Sequence, residues 1–172
     1  MLRSASETVD IEASADDVFA YVDDMGNVGW HMTGRSSMAM MGSKLTLELL
    51  SPHRTGLGAV YRYSGRTLGF ILDFSQTVTT YVPALEKVWR TIGESRMLIL
   101  DSYAMRLVVE PRSPASSRLT ISIVYELPRA WGWWMVALVM AGWYSCWCLR
   151  QMCRDARRGA VASALVRERA AP

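Results

Sequence analysis

Alternation along a strand from Met97 to Val109 sets Met97, Ile99, Asp101, Tyr103, Met105, Leu107 and Val109 on one face, with Asp101 as a carboxylate in an otherwise apolar file. Burial among such neighbours raises a carboxyl pKa and lets the group give and take a proton near neutral pH. Pairing Ile92 with Met97 across a turn at 93–96 would put Arg90 on the same face, diagonal to Asp101. The two would then form a buried structural ion pair. Alternatively, Asp101 would act as an acid or base while Arg90 or Tyr103 orients a ligand oxygen. Asp101 is thus the candidate for catalysis, and a single bulge would turn it outward.

Other reactive types are sparse. His31 and His53 stand apart, with no nucleophile signature near either and no metal-ligand spacing, so neither a metal nor a cofactor is expected. Cys146, Cys148 and Cys153 fall on one predicted helix, where the geometry excludes an internal bridge and fits a reducing, cytoplasmic setting. The net charge of +3 comes from an arginine-rich C-terminal end, read as a solvated face rather than a nucleic-acid surface.

The elements that would carry these residues follow from pattern. The strand Gly69 to Val82 offers Phe70, Leu72, Phe74, Gln76, Val78 and Thr80 as a wall, with Asp73 outside. On Gly58 to Arg66, Tyr61 and Tyr63 share a face opposite Arg62, where they would either line a pocket or cover the outside of the sheet. Further strands are expected at Glu7 to Ala13, Ser37 to Leu50, Glu86 to Ile92, Met97 to Glu110 and Arg118 to Leu127, joined by connections short enough for an antiparallel meander. Ser14 with Asp17 starts a helix after the first strand, and a second short helix is expected from Asp24 to Trp30.

The run Ala130 to Leu149 holds 20 residues without a charge, bracketed by Arg129 and Arg150. Its length suits a membrane span. However, six arginines follow it and no apolar signal segment precedes the first strand, so a helix on a large apolar surface is the better reading. Trp134, Leu138, Ala141, Ser145, Cys148, Met152 and Ala156 form one stripe able to pack on a sheet. The opposite row, Val136, Met140, Trp143 and Trp147, turns into Arg150, Arg154, Arg157 and Arg158. One domain over 1–172 is expected, with 159–172 a loose basic tail.

The stretch Thr8 to Trp30, TVDIEASADDVFAYVDDMGNVGW, resembles the opening of the START/SRPBCC helix-grip superfamily: a strand, a small-residue cap, a VF.yv.D pattern and then a tryptophan. Tyr125-Glu126-Leu127-Pro128 leading into the apolar helix is similar to the bacterial polyketide cyclase/dehydrase-like branch. The resemblance implies an α+β helix-grip fold, in which a curved antiparallel sheet of about seven strands wraps a long C-terminal helix, with two short helices after the first strand. It also implies a cavity for lipids, sterols, polyketides or other apolar ligands. The expected function is binding or transport of an apolar or amphipathic small molecule by Tyr61, Tyr63, Phe74, Arg90, Asp101, Tyr103, Trp134 and Leu138. The alternatives are a cyclase or dehydratase acting on a polyketide-like substrate, and a module that docks peripherally on a membrane through its last helix.

Overall fold

Exposed and covered side chains alternate from Leu2 to Ile11, so the first strand, β1 (Leu2–Ile11), begins before Glu7. The computed structural model describes residues 2–28, 44–67, 70–97, 100–127 and 131–170, the side chains at 44, 67, 70, 131–139 and 168–170 excepted. Ser14 then caps α1 (Ala15–Asp23): its hydroxyl accepts from the Asp17 N–H at 3.2 Å and donates to the Asp17 carboxylate at 2.7 Å. Asp24 closes this helix and opens α2 (Met25–Val28), its carboxylate accepting from the Gly26 N–H at 2.8 Å. Trp30, His31 and the methionines at 38–41 lie outside the described residues.

Six more strands complete the sheet: β2 (Lys44–Leu49), β3 (Val60–Thr67), β4 (Phe70–Val82), β5 (Glu86–Arg96), β6 (Ser102–Ser113) and β7 (Ser116–Glu126). They form a seven-stranded antiparallel sheet in the order β1-β7-β6-β5-β4-β3-β2. The turn expected at 93–96 is instead a bulge within β5. Gly93 adopts φ +67°, a conformation glycine tolerates, and the ladder to β4 skips between the Ser75–Ile92 and Asp73–Arg96 pairs. The strand therefore runs on, and the connection to β6 falls later in the chain.

The last helix, α3 (Trp131–Ala170), has 40 residues and packs on β1, β7, α1 and α2. Ala141, Ser145, Leu149, Met152, Ala156 and Ala160 are buried at helical spacing, while Met140, Trp143, Arg150, Arg154 and Arg157 are exposed on the other side. Among the described residues, no helix is long and apolar enough to cross a membrane. The segment from 159 onward, expected to be loose, is helical through Ala170. Ala160 is fully buried, and Arg167 reaches the Asp17 carboxylate at 2.6 Å. Small residues let the helix approach α1 closely here: a Cβ at Gly159 would overlap the Tyr21 ring. Between helix and sheet, Trp89, Leu107, Val109, Leu119 and Ile121 are buried almost completely.

Candidate ligand cavity

Beyond Arg90, strand β5 leaves the backbone ladder of β6. The Thr91 hydroxyl takes over, donating to the Tyr103 carbonyl and accepting from the Tyr103 N–H, both at 3.2 Å. Met97 and Leu100, which follow, turn inward and border a cavity of about 110 Å³ between the sheet and α3. Leu72, Phe74 and Gln76 of β4 form one wall, as the alternation of that strand requires, and Tyr63 joins them from β3. The helix contributes Tyr144, Ser145, Cys148, Leu149 and Met152, and α2 contributes Met25 and Val28.

An aromatic chain stiffens the wall. Tyr63 and Phe74 stack at 5.3 Å between centroids, and Phe74 meets Tyr103 edge-on at 6.0 Å. The Tyr103 hydroxyl donates to Gln76 Oε1 at 2.6 Å. Opposite, Tyr144 and Cys148 lie one helical turn apart on α3. Burial pushes the pKa values of Tyr63, Tyr103 and Tyr144 up, and that of the Cys148 thiol up to about 12 against the opposing effect of Tyr144. No charged side chain is among the lining residues, so the described lining is uncharged at neutral pH. Two buried polar atoms in it have no partner: Gln76 Nε2 and Ser145 Oγ.

No family model matches the chain, and no curated protein matches it in sequence. Solved structures do match. Norcoclaurine synthase of Thalictrum flavum is similar at TM-score 0.67 and 14% identity, covering 94% of this chain and 96% of that one. The Zhui aromatase/cyclase of Streptomyces is similar at TM-score 0.65 and 15% identity, covering 92% and 95%. Ara h 8.0201 gives TM-score 0.60 and 10% identity over 94% and 99%. The chain shares the helix-grip fold of these structures.

The helix-grip sheet brings only some of the expected residues together. Tyr63, Phe74 and Tyr103 line the cavity. Tyr61 is buried beside it but faces elsewhere, its hydroxyl donating to the Arg54 carbonyl. Arg90 and Asp101 are corrections. The ladder pairs Trp89 with Met105 and Arg90 with Ala104, so Trp89 points inward and Arg90 is exposed. Asp101 sits in a bend before β6, exposed, with its N–H donating to the Glu126 carbonyl at 2.8 Å. These two residues therefore do not form the inward-facing pair expected of them, and Asp101 does not sit among apolar neighbours in the sheet. The side chains of Trp134 and Leu138 lie outside the described residues.

A buried charge does exist, on Lys87, which pattern reading passed over. Its ammonium donates to the Asp23 carbonyl at 2.6 Å and to the Asp23 carboxylate at 2.8 Å, and stands 6.0 Å from the Tyr61 ring centroid. The Tyr81 hydroxyl donates to the second Asp23 oxygen at 2.8 Å. Desolvation lowers the Lys87 pKa, opposed by Asp23. With its partners in place and no share in the cavity lining, Lys87 ties the end of α1 to the sheet. Gln76, Tyr144, Ser145 and Cys148 are the polar lining residues missing from the expected site. Gln76 was as anomalous in its apolar file as Asp101 was in its own.

Proposed function

We propose that this chain binds an apolar or amphipathic small molecule, of lipid, quinone or polyketide-like character, in the cavity between sheet and α3. The observation that carries the reading is an interior space lined by aromatic, aliphatic and uncharged polar side chains, the usual make-up of a small-molecule site. Structures of the same fold support it: a norcoclaurine synthase is seen in complex with dopamine and hydroxybenzaldehyde. An apolar cavity of about 150 Å³ takes benzene. The space here, about 110 Å³, is smaller, so a ring-sized or longer ligand must extend out of it or displace adaptable side chains such as Met25, Met97, Met105 and Met152.

Cyclase or dehydratase activity is the weaker reading, although an aromatase/cyclase shares the fold. Such chemistry needs a group that accepts a proton, whereas Tyr103, Tyr144 and Cys148 all hold theirs more tightly than usual. A peripheral contact with an anionic membrane, at the cytoplasmic face, is compatible with ligand binding. Exposed Met140 and Trp143 sit on the same side of α3 as Arg150, Arg154 and Arg157, an apolar patch continued by positive charge.

Native mass spectrometry of protein purified without detergent tests the main reading. A discrete adduct that dissociates at higher collision energy is expected. Bare protein that also fails to take up a neutral apolar fluorophore would overturn it. Salt-sensitive sedimentation with anionic vesicles, weakened in Trp143→Ser, is the outcome expected of membrane contact.

A further inference from the structure

Gln76 and Ser145 are 1% and 2% exposed, on opposite walls of one cavity, and each leaves a hydrogen-bonding atom unused. Buried polar groups are normally paired, so each unpaired atom calls for an explanation. The orientation of the Gln76 amide is fixed by its neighbour. Tyr103 donates to Oε1, and turning the amide over would leave the Tyr103 O–H without an acceptor while freeing the same carbonyl oxygen. Nε2 therefore remains as an unused N–H donor on a residue of the cavity wall. Ser145 lies in mid-helix, where a serine hydroxyl ordinarily bonds the carbonyl one turn back, yet its Oγ is also unpartnered.

Resting on the reading of this cavity as a ligand site, we infer that the bound molecule presents an uncharged hydrogen-bond acceptor, in the simplest case a carbonyl oxygen, to Gln76 Nε2 and Ser145 Oγ. The rest of the enclosed group is apolar. A carboxylate is disfavoured by its desolvation cost, since no cation is among the described lining residues to compensate it. Gln76 and Ser145 are then the residues that set specificity. Tyr103 acts through Gln76 as a positioning residue, because its own hydroxyl is already engaged.

The test compares acetophenone, its hydrocarbon shape-mimic cumene and benzoate, by ligand-observed NMR titration of the wild type, Gln76→Met and Ser145→Ala. Circular dichroism checks that each variant is folded. In the wild type, acetophenone and cumene bind and benzoate does not. In Gln76→Met the ratio of acetophenone to cumene affinity falls about tenfold, the size of one lost neutral hydrogen bond, with cumene itself not weakened. Ser145→Ala moves the ratio the same way and supplies a second reading should Gln76→Met fold poorly. If both ligands bind but neither variant changes the ratio, water serves the two polar atoms and this inference fails while the cavity reading stands. Strong benzoate binding would overturn the requirement for an uncharged acceptor. If the wild type takes up neither neutral compound, the cavity reading falls and this inference falls with it.

Discussion

Removing the Asp23 carboxylate would strand the Lys87 ammonium in the core, where the Asp23 carbonyl, the Tyr61 ring and the charge of Asp24 remain to it among the described residues. An uncompensated buried charge of this kind costs about 3–5 kcal/mol. Asp23→Ala is therefore expected to lower stability by about that amount in urea unfolding, and the double variant Asp23→Ala, Lys87→Met to be more stable than Asp23→Ala alone. A double variant as weak as the sum of the two single changes would show that the pair is not coupled. The sequence did hold a sign of this pair. Lys87 is one of two lysines in the chain and shares strand parity with Trp89, but which parity faces inward depended on a ladder that local pattern left open. Thiol reactivity is set at the same scale. Cys146 is exposed, whereas burial pushes the Cys148 and Cys153 thiols up to about 12 and keeps them protonated. Native protein should react rapidly with a disulfide reagent at Cys146 and slowly at the other two until denatured. Equal rates at all three would mean that α3 is not packed as described.

Elements were legible wherever a single face repeats without interruption. The buried row of α3 follows the predicted stripe through Ala141, Ser145, Met152 and Ala156, and the inner face of β4 follows Leu72, Phe74, Gln76 and Val78. The β5–β6 hairpin was not legible, because Gly93 reads equally well as a turn and as a bulge. Taking it as a turn brought Arg90 inward on paper, while running β6 back to Met97 brought Asp101 inward. As a bulge it carries β5 through Arg96 with Arg90 outside, and β6 starts only at Ser102, leaving Asp101 in the bend before it. The contact of α3 with α1 was equally hidden, since a glycine in a helix shows no partner in sequence. Here Gly159 receives the Tyr21 ring. Alanine at 159 gains up to about 1 kcal/mol in helix propensity. The overlap forces Tyr21 aside and costs about 1–3 kcal/mol. The net expectation for Gly159→Ala is a loss of stability that Tyr21→Ala in the same chain relieves. Thermal melting of the single and double variants checks it, and a stabilised Gly159→Ala would show that the helices are not in close contact.

Taken as one body, the protein buries many weak acids in their neutral form. Burial pushes the Tyr61 and Tyr81 pKa values up to about 12, raises those of Tyr63, Tyr103 and Tyr144, and pushes the Cys148 and Cys153 thiols to about 12. In every case the folded chain holds a proton more tightly than the unfolded one. Below the unfolded values, 9.0 for the thiols and 10.0 for the tyrosines, both states are protonated and these groups leave stability unchanged. As pH rises toward about 12, the unfolded chain releases protons that the folded chain keeps, so stability falls. Lys87 opposes the trend, because its lowered pKa lets the folded chain lose a proton first, but it is one group against seven. The expected outcome is a urea midpoint that holds steady from neutral pH to about 9 and then drops steeply, with tyrosinate absorbance rising in step with unfolding rather than before it. Ligand in the cavity should delay both, since it binds only the folded chain. Tyrosines that titrate freely near 10 in folded protein would mean that water already reaches the cavity wall, and the uncharged lining on which ligand binding rests would be lost.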